Sequence, residues 1–300
     1  MGKEIESLSS VMTFTTVCCN QNGEIIVDKP CRVHCRKVDL GASVTLELVQ
    51  IPDGQFMMGR ADGNNPRFGA EEPQHLVHLS GFWMGTYPVT QAQWEQVVAL
   101  PKIDCDLEAM PSHLGFIGDD LPITGINWFE AQEFCGRLSR LTGFEHRLPT
   151  EAEWEYSCRA GTTTPFYFGE TITPALVNYD EKWEPMGFNR SKQLKPRESF
   201  PPNCWGLYDM HGTVREWCLD SYYRSYGEKP EALKQNGNLP WQDNRPHIFF
   251  RVVRGGSLHK HYYFCRSDVR ACEHEQARAS STGFRVVRVI PDTVQSIGYM

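Results

Sequence analysis

Positive charge is in short supply in this 300-residue chain: 30 Lys and Arg stand against 37 Asp and Glu, a net charge of −7. Bulk nucleic-acid binding and polybasic membrane tethering both need a basic footprint, so neither nucleic acid nor a membrane surface is an expected partner. No apolar run approaches the roughly 18–20 residues of a membrane span. Residues 1–10 contain Glu4 and Glu6 but no apolar stretch, so they do not read as a secretory signal. Glu6 also stands where a myristoylation signal has Ser or Thr. There is no G-x-S-x-G elbow, no P-loop and no H-E-x-x-H pair, which removes three common catalytic signatures. Long periodic segments are missing from residues 162–244, an unusual amount of loop for one domain. The 11 cysteines are too sparse for a small disulfide scaffold and odd in number. A cytoplasmic protein with mostly reduced thiols is expected.

What is present suggests an α+β fold. Strands are expected at 13–17, at 25–27 after an Asn22-Gly23 turn, and at 44–49, where Val44, Leu46 and Leu48 alternate with polar residues. A boundary near residue 43 divides a β-rich N-terminal extension, 1–43, from a main domain, 44–290, with a tail at 291–300. Three helices announce themselves through capping boxes: Thr90 with Gln93, Asn127 with Glu130, and Thr150 with Glu153. In the second, Ala131, Phe134, Cys135 and Leu138 form one apolar face. Gly143 and Gly161 are the expected terminators. Strands return at 247–253 and 284–290.

Several groups are candidates for chemistry. Cys31, His34 and Cys35, with Cys18 and Cys19 upstream, match no trusted zinc spacing. His259 and His261 lack a third ligand. Asp209 and Glu216 lie seven residues apart with Gly212 between them, a spacing that lets a curled loop offer carboxylates and carbonyls to calcium. Cys265 is the candidate thiol. Residues 251–288 hold seven Arg and Lys260 in an otherwise acidic chain. Arg clamps that order loops are expected there ahead of an anion site.

The motifs together resemble the formylglycine-generating enzyme family, also called the FGE-sulfatase domain, over residues 44–290. They run in order: Ile51-Pro52-Asp53-Gly54, Glu72-Pro73-Gln74-His75, Tyr87-Pro88-Val89-Thr90-Gln91, Arg147-Leu148-Pro149-Thr150-Glu151-Ala152-Glu153-Trp154, Gly206-Leu207-Tyr208-Asp209, Arg254-Gly255-Gly256-Ser257 and Gly283-Phe284-Arg285. The resemblance implies a C-type-lectin-like fold of low regular secondary structure. It also implies structural calcium on the side chains of Asp209 and Glu216 and the carbonyls of Gly212 and Val214. A second calcium would use Asn178 and Tyr179, with ligands near Asn189 and Ser191. The family usually reads Asn-Val-Trp-Glu-Trp where this chain has Thr213-Val214-Arg215-Glu216-Trp217.

Enzymes of the family oxidise a substrate cysteine with copper(I) held by two thiolates. One matches Cys265; the other matches Lys260, and an ammonium has no lone pair for copper. Copper is therefore not expected, and a copper-dependent formylglycine-generating oxidase is the alternative reading. The preferred one is a non-catalytic ligand-binding protein, similar to the variable proteins of diversity-generating retroelements. Its diversified surface would be residues 258–282. The contacts would be Leu258, His259, Lys260, His261, Tyr262, Tyr263, Phe264, Asp268, Val269, Ala271, Glu273 and His274, facing a protein or other macromolecular ligand. Rigid aromatics suit recognition because they give contact area at low entropic cost.

Overall fold

The computed structural model describes residues 9–61, 69–111, 116–182, 192–242 and 249–291. A six-stranded sheet runs in the order β1-β2-β3-β6-β12-β7, where β1 is Ser10–Cys19, β2 Ile25–Gly41, β3 Val44–Ile51, β6 Phe82–Gly85, β7 His146–Arg147 and β12 Val287–Val289. A four-stranded sheet runs β10-β9-β8-β11, where β8 is Arg215–Ser221, β9 Phe250–Arg254, β10 Ala271–His274 and β11 Thr282–Gly283. A hairpin of β4 (Gly54–Met58) and β5 (His75–Leu79) stands apart from both. The N-terminal strands are thus part of the main sheet: β2 pairs antiparallel with β3 from Cys35 to Gly41.

The expected strand at 25–27 extends to Gly41. Its first half pairs with β1 but has largely exposed side chains, so no inward-facing set marks it in the sequence. β8 was hidden for the opposite reason. Six of its seven residues are buried, leaving no alternation to read. The expected strands at 247–253 and 284–290 are found at Phe250–Arg254 and Val287–Val289, with residues 243–248 outside the described set.

All three helices open as their caps predict. α1 (Gln91–Val98), α2 (Trp128–Thr142) and α3 (Glu151–Arg159) each have both arms of the capping box formed. α2 ends at Gly143 with φ 77°, a left-handed turn that glycine enters without steric cost. α3 ends one residue before the expected glycine, at Ala160 with φ 44°. Between α3 and β8 the described residues form no helix or strand, as the missing periodicity implied. Side-chain amides replace the ladder there. Asn203 accepts from the Trp205 and Leu207 N–H groups and donates to the Ser157 carbonyl, which satisfies buried backbone away from any sheet.

One apolar cluster lies between α2 and the sheets. Trp94 stacks on Phe134 at 5.7 Å, and Phe284 meets Phe134 edge-on at 5.2 Å. The other cluster surrounds Trp154, Phe166, Phe168 and Met210 under the long loops. Phe134→Ala is expected to destabilise by about 3–5 kcal/mol, and Asn127→Ala, which removes one arm of a cap, by about 1 kcal/mol. Urea unfolding followed by circular dichroism checks both values and their order.

A buried charge frame and a candidate site at the C-terminal loops

Helix α3 places three carboxylates and an indole within its first five residues, all buried. Glu153 closes its own cap and holds Arg147 at 2.6 and 2.8 Å. Glu155 accepts from the Gly59 N–H at 3.0 Å and from Arg159, and pairs with Arg254. Glu151 is gripped by Arg270 through two bonds of 2.6 and 2.8 Å. Burial alone would raise the Glu151 pKa, but Arg270 and Arg254 outweigh it and hold the carboxyl below its ordinary range. Trp154 donates its indole N–H to Glu216 at 2.8 Å, and Arg285 takes Glu216 from the other side at 2.7 and 2.7 Å.

The arginines at 251–288 are therefore clamps, as expected. Arg254 donates to the carbonyls of Ser267, Asp268 and Val269, fixing the segment that leads into β10. Arg251 pairs with Glu275, Arg266 with Asp268, and Arg278 with Glu108 and Glu130. Arg288 lies over the Phe144 ring at 3.7 Å.

Backbone bonds stitch three loops together beneath this frame. Gly212 N–H donates to Gly255, Thr213 N–H to Asn178, Leu258 N–H to Thr213, and Asp180 N–H to Lys260. His211 is part of the same tie. Its Nε2 accepts from Tyr167 N–H at 3.1 Å, so Nδ1 carries the proton and donates to the Cys265 carbonyl at 2.7 Å. Burial pushes the His211 pKa down to about 3, keeping that neutral tautomer. Gly256 has φ 70°, and a Cβ there would lie 2.6 Å from Cys265 Sγ, so glycine at 256 is required by contact with that thiol; Gly255, at φ 94°, packs against Trp154.

The expected calcium loop curls through positive φ at Asp209, Gly212 and Thr213. Asp209 and Glu216 face each other closely enough for Glu216 to help raise Asp209. Burial is the larger cause, and the pKa reaches about 6. Glu216, however, is already occupied by Arg285 and Trp154, which leaves Asp209 as the loop's carboxylate without an ion-pair partner; one of its oxygens accepts from Thr213. Among the described residues no group of three or more His, Cys, Asp or Glu stands together as a metal site. At the second expected calcium position, Asn178 gives its amide N–H to Gln193, and Tyr179 packs on Tyr262. Asn189 and Ser191 lie outside the described residues.

Cys265 is fully buried, and burial raises its pKa to about 12, so it is a thiol at neutral pH. The expected contact residues divide in two. Leu258, Asp268 and Val269 are buried: Leu258 packs with Leu194 and Val214, and Asp268 binds Arg60 at 2.6 Å. Leu258 and Asp268 act as framework, which corrects their expected place on an exposed surface. His261 caps the short 3-10 turn Tyr262–Cys265, and Glu273 pairs with Arg215. His259 is partly buried, and burial lowers its pKa. Tyr262 is exposed, and His274 sits between Phe249 and Phe250, two exposed rings absent from the expected set.

The remaining residues line one cavity of about 190 Å³. Lys260, Tyr263, Phe264, Val269 and Ala271 form its wall with Val253, Gly255 and Gly256, and Glu71, Arg215 and Arg270 complete it. Sequence reasoning missed Glu71, which arrives from a distant loop, and Arg215, visible only as a departure from the family's Trp.

Fold and site together define a C-type-lectin-like scaffold of the FGE-sulfatase type, with short strands, three capped helices and a pocket built from C-terminal loops. Residues 41–290 match the sulfatase-modifying factor enzyme 1-like domain, and the chain belongs to the FGE-sulfatase family. It is similar to the formylglycine-generating enzyme of Mus musculus, 28% identical over 284 residues that span 80% of this chain and 74% of the mouse protein. Among solved structures it is similar to PvdO from Pseudomonas aeruginosa, at 27% identity and a TM-score of 0.70, over 85% of this chain and 98% of that one. Treponema denticola variable protein 1 aligns with a TM-score of 0.67 at 23% identity, over 85% and 98% of the two chains; this likeness is one of fold. No described helix is long and apolar enough to cross a membrane.

Arg254→Met removes one of the two buried cations on Glu155, Arg159 being the other, and is expected to cost about 3–5 kcal/mol, whereas adding Glu155→Gln should recover part of the loss. A double-mutant cycle in urea measures both. Asp209 has a folded pKa above its usual 3.8, so its stabilising effect is full below that pH and disappears as pH rises through about 6. In calcium-free buffer Asp209→Asn should remove up to about 3 kcal/mol of that pH dependence, read from unfolding curves at pH 4 and 7.

Proposed function

We propose that this chain is a binding protein on a family scaffold rather than a cysteine oxidase. The observation that carries the reading is Lys260. Copper(I) needs two soft sulfur ligands, and here one position holds a cation while the other, Cys265, is a buried thiol. The ligand face comprises exposed Tyr262, the Phe249–Phe250–His274 aromatic group and the cavity behind them. Its ligand is a macromolecule, protein in the first instance. Diversification of this face fits its mixture of residue types on a frame whose charges are fixed elsewhere. The alternative, an oxidase, keeps Cys265 as its candidate copper ligand and needs a replacement for the second thiolate.

Calcium at the Asp209 loop belongs to the same proposal. A buried carboxyl beside a second carboxylate favours a cation, and Asp209 with the carbonyls of Gly212 and Val214 would hold it, sharing Glu216 with Arg285. Bound calcium would supply structural charge compensation.

Titration with copper(I) in the presence of a competing chelator should show no stoichiometric binding, and a cysteine peptide should provoke no oxygen uptake. Stoichiometric copper that Cys265→Ser abolishes, with oxygen uptake, would overturn the binding reading. For calcium, chelation should lower the melting temperature of the wild type and leave that of Asp209→Asn unchanged. Diversification predicts a reverse-transcriptase gene near the coding sequence and a near-copy of its 3′ end that differs at template adenines.

A further inference from the structure

Eight cationic residues lie between Arg251 and Arg288, and seven of them are engaged in ion pairs, carbonyl clamps or ring contacts. Lys260 has a ring contact alone: among the described residues its ammonium makes no ion pair and no side-chain hydrogen bond, the Phe264 ring lies 6.0 Å away, and burial, Arg215 and Glu273 act on its charge. It borders the 190 Å³ cavity, which Arg215 and Glu71 also line. Arg215 spends one end of its guanidinium on Glu273, while its buried Nε–H has no partner among the described residues. Glu71 is 2% exposed, and its Oε2 is likewise unpartnered. A buried polar atom without a partner costs about 1–3 kcal/mol; two residues that carry such an atom, Arg215 and Glu71, line one cavity with the partly exposed Lys260, which makes the cavity a candidate for a charged ligand.

Their chemistry is directional. Lys260 and Arg215 are donors on the cationic side, and Glu71 is a carboxyl on the other. The walls between them are apolar: Val253, Phe264 and Ala271. The volume equals roughly six water molecules' share of the liquid and is smaller than a drug-sized pocket of about 300 Å³ or more. Arg215 and Lys260 also stand at two positions where this chain departs from the family pattern, Trp in one case and a thiolate in the other, and folding brings both departures to one cavity.

We propose that this cavity binds a single amino-acid unit, its carboxylate on Lys260 and the Arg215 guanidinium and its nitrogen donor on Glu71. The unit is either a free amino acid or the C-terminal residue of a peptide, since both present a carboxylate and an N–H one carbon apart. This deepens the binding reading above and rests on it.

The test is calorimetric titration of the full chain with a panel of free amino acids, their N-acetyl derivatives, and the N-acetyl amides that lack the carboxylate. At least one carboxylate-bearing member should bind saturably, with its amide at least tenfold weaker. Lys260→Met should abolish that discrimination, and Glu71→Gln should weaken binding while the circular dichroism spectrum stays unchanged. Tighter binding of the free amino acid identifies a metabolite; tighter binding of the N-acetyl form identifies a peptide terminus. If no member of the panel binds, or acid and amide bind alike, the inference is overturned, and the binding reading stands provided copper(I) still fails to bind. Stoichiometric copper(I) at Cys265 would instead remove the binding reading itself.

Discussion

The structure depends on the carboxylates of one short helix. Glu151, Glu153 and Glu155 of α3 are buried beneath the loops; Arg270 and Arg254 reach Glu151 and Glu155 from distant parts of the chain, and nearby Arg147 meets Glu153. Isolated, such charges would be prohibitive in a protein interior. Paired, they tie β9, the 267–270 segment and the region around Gly59 to a single helix. The Trp154–Glu216–Arg285 chain extends the tie into β8 and the start of β12. A domain with so little regular structure has few ladders to hold its loops, and bidentate arginine supplies the missing geometry.

That arrangement separates residues held by the charge frame from residues outside it. The framework residues within 254–285 are the arginines, the Gly-Gly pair, Cys265 and Asp268, all fixed by charge or close contact. Lys260, Tyr262, Phe264 and Ala271 lie between them, and nothing in the packing of the charge frame dictates their identity. Residues of this kind can change without unbalancing a buried ion. Lys260 borders a small cavity, while Cys265 is a packed, protonated thiol.

The fold was legible wherever local rules apply. Capping boxes at Thr90, Asn127 and Thr150 located three helices because the cap is a three-residue arrangement that the chain writes out in full. β8 and the length of β2 were not legible: one is buried on both faces, and the other begins with exposed side chains, so neither has the alternation that marks a half-buried strand. The site was legible in part. Lys260, Tyr263, Phe264, Val269 and Ala271 were singled out and do line the cavity, whereas Leu258 and Asp268 turned inward as framework.

By itself the sequence determined the helix starts, the order of the family's motifs and the acidic balance, since each is carried by neighbouring residues or simple counts. Only the tertiary structure decided which carboxylate faces which arginine, that Glu216 belongs to Arg285, and that Glu71, Arg215 and Lys260 share one cavity. Those three residues are separated by 144 and 45 positions in the chain. No local pattern encodes such a meeting, because packing over the whole chain, and not the spacing of neighbours, sets which side chains are left without partners.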